Sequence, residues 1–170
     1  MAQGPEIPLE QARAVARRVT DTIAPHCSRV EIAGSIRRGR PVVHDVDLVV
    51  IPIDHSKTRL AADFLALHRG ERTWSVNGGK VWKFVIEGVP IDVYFATAET
   101  WALKLLVRTG SAKHNQLLAV RAQKLRMKFR ADGAGIERRD GSLIPIHQEA
   151  DVFEALQLPY REPAAREVPR

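Results

Sequence analysis

Two aspartates, Asp45 and Asp47, stand one residue apart at the head of the apolar run DVDLVVIPI. On a strand, residues i and i+2 share a face, roughly 6.5–7 Å apart. Like charges placed so close raise each other's pKa unless a cation sits between them. A hard divalent cation with oxygen ligands removes that repulsion, and magnesium favours one or two carboxylates together with substrate phosphates. Taken alone, D-x-D is more often a pair of acids reaching water at a strand end. A third acid changes the balance. Asp92, in VPIDVYFA, again begins an otherwise apolar strand. If the two strands are neighbours in one sheet, three carboxylates converge on one patch. Such a patch suits a two-metal site, in which one ion activates an attacking oxygen and the other stabilises a leaving one.

The stretch GSIRRGR, just upstream, supplies a complementary chemistry. A Gly-Ser turn offers backbone N–H groups and a hydroxyl to phosphate oxygens. Arg37 and Arg38 add charge-assisted, bidentate bonds. Gly-Ser by itself is an ordinary turn. Gly-Ser, a basic pair and then D-x-D ten residues later is a strong combination.

The elements that must position these groups follow from periodicity. Residues 8–24 are expected to form an amphipathic helix, with Leu9, Ala12, Ala16, Val19 and Ile23 on one face. Strands are expected at 27–33, 45–53, 80–87 and 91–96, with GSIRRGRPVV as a Gly-punctuated turn and GVP as the tight turn before IDVYFA. A further helix is expected at 57–69. After residue 98 the character changes to helices at 99–108 and at 112–126, the latter with Ser111 as N-cap. Irregular strands with Gly-Asp turns follow, then a last helix at 149–158 and a Pro- and charge-rich tail expected to be loosely held. The fold class is α/β (α+β), divided into a catalytic half at about 5–98 and a small basic subdomain at about 99–167.

The bulk numbers narrow the class. A hydrophobic fraction of 45% and a charged fraction of 27% are those of an ordinary globular protein. No apolar run approaches the roughly 20 residues of a membrane helix, and the N-terminus has no pattern of a signal peptide. One cysteine, Cys27, excludes an internal disulfide and a cysteine-based zinc site. A cytoplasmic location is expected, whether bacterial, archaeal or viral, with no membrane partner. The net charge of +6 is unevenly spread: Trp101 to Ala131 holds eight Lys or Arg and no acid. A solvated helix face accounts for part of such a block, but its unbroken length raises nucleic acid above that explanation. Lys113, Arg121, Lys124, Arg126 and Lys128 are the candidate DNA contacts. Exposed aromatics are not interleaved with them, so a single-strand stacking platform is poorly supported. Trp74, Trp82 and Trp101 are expected in the core, His44 and His114 as hydrogen-bonded fillers. Lys80 and Lys83 are expected either to meet a DNA backbone or to lie on a solvated strand face.

At this point the chain resembles the nucleotidyltransferase superfamily with the polymerase-beta-type palm and, within it, the family X DNA polymerases. GSIRRG…DVDLVV resembles that family's G-S-x-R-R-G turn and D-x-D strand, and IDVYFA its strand with the third aspartate. RTGSAKHN (108–115) resembles its T-G-S-x-x-x-N segment, and DVFEALQLPYREPAARE its closing helix and Y-R-E-P signature. The palm motif alone fits many nucleotidyltransferases; the two thumb motifs are more specific.

The resemblance implies a palm with a mixed sheet and a basic α+β thumb. It implies that Asp45 and Asp47 bind two magnesium ions, with manganese as a substitute, and that Asp92 holds the catalytic ion and helps deprotonate the primer 3′-hydroxyl. Ser35 and Arg38 would hold the β- and γ-phosphates of a deoxynucleoside triphosphate, with Gly34 allowing close approach. Thr109, Gly110 and Ser111 would lie beneath its sugar, and Asn115 would reach the minor-groove edge of its base. Where the family has an aromatic pair before T-G-S, this chain has Val107 and Arg108; where it has an arginine two residues before the third aspartate, this chain has Pro90. Larger relatives carry an N-terminal lyase domain and a helix-hairpin-helix region, neither of which is expected here, as in compact viral members. The expected activity is template-directed filling of short gaps, on gapped or primed duplex, by a monomer. The alternatives are a template-independent, RNA- or small-molecule-directed nucleotidyltransferase and a non-catalytic nucleic-acid-binding module. Three retained aspartates weigh against the last, since idle acids would repel the DNA.

Overall fold

The structure, a computed structural model, describes residues 5–54 and 81–168, and the backbone of 74–76. The chain is α+β and divides into two compact units, Met1–Phe95 and Ala96–Arg170. The helix expected at 57–69, Lys80 and the Trp74 side chain lie outside the described residues.

In the first unit, strand β1 (Ile7–Pro8) leads into helix α1 (Leu9–Ile23). Its apolar positions recur every three or four residues, and Ala12, Val15, Ala16, Val19 and Ile23 are all buried. Arg17 and Arg18 occupy the exposed face. Strand β2 (Cys27–Ile32), helix α2 (Gly34–Arg37), strands β3 (Val42–Val43), β4 (Val46–Pro52), β5 (Trp74–Val76), β6 (Val81–Ile86) and β7 (Val89–Phe95) follow. Five of them form one mixed sheet in the order β2-β4-β7-β6-β5, in which only the β4–β7 pair is parallel. Val46, Leu48 and Val50 of β4, with Ile91, Val93 and Phe95 of β7, pack into one core with the buried face of α1. Side chains alternate along a strand, so Asp47, Asp92 and Lys83 project to the opposite sheet face.

Two local expectations are corrected. The GSIRRG segment is not merely a turn: it makes one helical turn, with the Arg37 and Arg38 amides donating to the carbonyls of Ala33 and Gly34. The hairpin before Asp92 turns at Glu87–Gly88 rather than at GVP, so Val89 and Pro90 belong to β7. Both turn residues have positive φ, 53° and 76°, as a two-residue type I′ connection demands.

The second unit contains α3 (Trp101–Thr109), α4 (Ala112–Lys124), a sheet of β8 (Lys128–Arg130), β9 (Gly135–Glu137) and β10 (Leu143–Ile144), and α5 (Glu149–Ala155). Ser111 caps α4, its Oγ accepting from the His114 amide at 3.2 Å. Residues 128–144 are more regular than expected, making an antiparallel sheet in the order β10-β9-β8. The tail is not loosely held. Pro163–Arg166 forms a 3-10 turn, and the Arg166 side chain is fully buried. Trp82, set edge-on against Phe95 at 4.4 Å, and Trp101 are core residues. Among the described residues, no helix is long and apolar enough to cross a membrane.

Candidate functional site

The register of three strands builds the acidic part of the site. Asp47 on β4 is the partner of Asp92 on β7, and Asp92 is in turn the partner of Lys83 on β6. The three residues form a row across the sheet, and Asp45 directly precedes β4. Asp92 is only 8% exposed. Its Oδ2 accepts from the Lys83 ammonium and, at 3.0 Å, from the Tyr94 hydroxyl. Burial, and then the negative charge of Asp92, push the Asp45 carboxyl above its ordinary value; Lys83, His44 and Arg38 pull it the other way. The Arg38 charge therefore reaches the acidic patch.

Gly34 lies directly against this patch. A Cβ built on it would stand 2.0 Å from Asp47 Oδ2, and its φ of +58° is one that L side chains rarely adopt. The glycine thus makes room for a carboxylate of the chain itself. Next to it, Ser35 Oγ is buried and has no hydrogen-bond partner among the described residues, a rare state for a buried hydroxyl. His44 Nδ1 donates to the Pro5 carbonyl at 3.1 Å, a structural bond.

Among the described residues, no three His, Cys, Asp or Glu side chains are drawn together as a ready-made metal site. The donors nonetheless fit hard cations in kind. They are carboxylate oxygens on one sheet face, partly desolvated and mutually repelling. In this arrangement Asp92 is taken up by Lys83 instead.

In the second unit the two C-terminal motifs meet. The Ser111 amide donates to the Arg166 carbonyl at 3.2 Å, and the Val168 amide donates to Ser111 Oγ at 3.3 Å. Thr109 is fully buried at the end of α3. Asn115 is turned back on the same bend: its Nδ2 donates to the Val107 carbonyl at 2.7 Å and the Gly110 carbonyl at 3.4 Å. Gly110 must lack a side chain there, since a Cβ would come within 2.5 Å of His114 and 2.6 Å of Asn115. Arg166 holds the tail in place. Its guanidinium meets both Glu149 oxygens at 2.6 and 3.3 Å, donates to the Arg161 carbonyl at 2.9 Å, and lies 5.6 Å from the Phe153 and Tyr160 ring centres.

Residues 104–167 match the family model of the DNA polymerase beta thumb. No curated protein matches the chain. The match lies wholly within the second unit, which is accordingly similar to a family X-type polymerase thumb. On this unit Lys113, Lys124, Arg126 and Lys128 are exposed. Arg121 is committed internally: its Nε donates to the Leu156 carbonyl at 2.8 Å and its Nη2 to Gln157 at 3.4 Å.

Sequence reasoning left Tyr94 and Arg166 unassigned, and it read Lys83 as a DNA-backbone contact or a solvated residue rather than as the partner of Asp92. Tyr94 could have been found, because it lies two residues beyond Asp92 and so shares its face. The bond from Lys83 to Asp92 depends on the hairpin register and was hidden by the misplaced turn. Arg166 sits in a stretch of mixed charge and proline that gives no periodic signal.

Proposed function

We propose that the chain is a metal-dependent nucleotidyltransferase that extends a DNA primer with deoxynucleoside triphosphates, template-directed and confined to short gaps, as a monomer in repair or end joining. The observation that carries this reading is the register pairing of Asp47 with Asp92, in a chain whose second unit is similar to a polymerase thumb. That likeness also supports duplex DNA as the partner. The first unit then serves as the palm.

Asp45, Asp47 and Asp92 would hold two magnesium ions, which when bound supply Lewis-acid activation of the attacking oxygen and charge neutralisation at the leaving one. The residues of the chain do the remainder. Ser35, with its orphaned hydroxyl, and Arg38, whose charge reaches the patch, orient the triphosphate from its far end. Asp92 draws on the proton of the primer 3′-hydroxyl. The new bond joins the 3′-oxygen to the α-phosphorus, the α–β phosphate bond breaks, and pyrophosphate leaves. Positioning and electrostatics suffice for such a transfer.

The test is a gapped duplex supplied with single nucleotides and magnesium, using the wild type and Asp92→Asn. Incorporation directed by the template base is expected, reduced at least about a hundredfold in the variant. Transfer unaffected by Asp92→Asn would sink the metal mechanism. A second reading, transfer without a template or to another acceptor, draws support from Asn115, whose amide is turned onto Val107 and Gly110. Incorporation indifferent to the template base would establish that reading instead.

A further inference from the structure

Lys83 and Asp92 are cross-strand partners, and the ammonium bonds Asp92 Oδ2. Its position is peculiar for a surface lysine. Asp92 is nearly buried, Asp47 is its partner on the other side, and the charge of Asp92 is felt at Asp45. A desolvated carboxylate among like charges requires a cation. Within the row Asp47–Asp92–Lys83, the lysine supplies it.

The character of the cation matters. Lysine is a compact point charge on a flexible four-carbon stem, and the Lys83 side chain keeps 36% of its surface exposed. A partly solvated ion pair of this kind is weak. It neutralises one charge of the patch, whereas a divalent ion brings two and can take more of the carboxylate oxygens.

We propose that Lys83 is a tethered counter-ion, which holds the Asp92 carboxylate on the acidic face in the absence of metal and gives it up when a divalent cation binds. The inference rests on the reading of Asp92 as a metal ligand. Lys83 is then a positioning residue with a defined thermodynamic signature. Metal must displace it, so its removal strengthens metal binding even as it leaves Asp92 uncompensated in the metal-free protein. A lysine serving only the fold, or only a DNA backbone, has no such effect.

The experiment measures Mn2+ binding to the full chain, without DNA or nucleotide, from the electron paramagnetic resonance signal of the free ion. Four proteins are compared: wild type, Lys83→Met, Lys83→Arg and Asp92→Asn. Lys83→Met is expected to bind Mn2+ about fivefold more tightly, the equilibrium equivalent of a lost exposed ion pair. Lys83→Arg keeps the cation and is expected to stay within about twofold of wild type. Should Lys83→Met be poorly folded, the upward shift in its melting temperature on adding Mn2+ gives the same reading, and is expected to exceed that of wild type. Unchanged or weaker Mn2+ binding by Lys83→Met, with Asp92→Asn impaired, overturns the counter-ion role and leaves the metal reading intact. Unchanged Mn2+ binding by Asp92→Asn overturns both. A salt-sensitive loss of DNA affinity in Lys83→Met, with Mn2+ affinity unmoved, makes the lysine a backbone contact and also overturns the proposal.

Discussion

The α-carbon of Gly34 and the carboxylate of Asp47 are in such close register that a methyl group on the glycine would stand 2.0 Å from Oδ2. The backbone there is also left-handed, at φ +58°. Gly34→Ala therefore meets two penalties, about 1–2 kcal/mol for the conformation and a forced displacement of Asp47. Misplacing a reacting group by about 1 Å costs on the order of a hundredfold in rate. The variant is expected to lose about that much nucleotidyl transfer while remaining folded. Primer extension on a gapped duplex, paired with urea denaturation, checks both parts.

The basic stretch of the second unit separates into two kinds of residue. Lys124 is exposed, whereas Arg121 bonds the Leu156 carbonyl at the end of α5. Neutralised phosphates release counter-ions, so each true contact steepens the dependence of affinity on salt. Lys124→Ala is expected to lower the slope of log affinity against log salt by about 1 and to leave the melting temperature unchanged. Arg121→Ala is expected to do the reverse: an unchanged slope and a loss of about 1–2 kcal/mol from a charged hydrogen bond. Fluorescence anisotropy with a gapped duplex between about 50 and 200 mM salt, beside thermal melts, distinguishes them.

What could be read in the sequence was what local physics decides. Alternation put Asp45 and Asp47 on one strand head, the three-and-four spacing from Leu9 to Ile23 gave α1, and Ser111 before AKHN announced a helix cap. What escaped depends on contacts between distant segments. The Glu87–Gly88 turn fixes which β6 residue faces Asp92, and displacing the turn to GVP hides Lys83. The resemblance gave Gly34 a role in the close approach of a phosphate; that Asp47, thirteen residues on, also lies against it could not be seen from local pattern. The tail from Pro159 looked loosely held because its anchoring rests on one buried arginine, Arg166, finding Glu149. The helix expected at 57–69 lies outside the described residues.

Asp151 gives the second unit a defined response to acid. Its Oδ2 accepts from the amides of His147, at 2.8 Å, and Gln148, at 3.1 Å, completing a capping box at the start of α5. Burial raises its pKa, but the His147 and Gln148 amides outweigh burial and leave the carboxyl below its ordinary value. A depressed carboxylate contributes stability above its unfolded pKa, and that contribution disappears as pH falls through the folded one. Asp151→Ala is therefore expected to cost about 1 kcal/mol at pH 7, and the gap from wild type should narrow below about pH 4. Melting curves of both proteins at pH 7 and pH 3 measure the change; an equal gap at both values would refute the assignment.

The pair of buried Arg166 and Glu149 offers the sharpest test of how the second unit is assembled. Arg166 is fully buried, and both of its terminal nitrogens are on Glu149. Truncating one member of a buried ion pair leaves the other charge uncompensated and costs about 3–5 kcal/mol, whereas replacing both with apolar residues of similar volume can cost far less. Arg166→Met and Glu149→Leu are each expected to be strongly destabilised, and the double variant to recover much of the loss. Arg166 also presents its carbonyl to the Ser111 amide, and two residues on Val168 donates to Ser111 Oγ. Loosening the tail should consequently loosen the T-G-S bend. In Arg166→Met, the amides of residues 111–115 are expected to exchange hydrogen faster than in wild type, while those of α1 stay protected. Denaturant unfolding of the three variants gives the cycle, and hydrogen exchange locates its effect. Additive losses in the double variant would show that the two side chains act independently, and that the latch is not the pair.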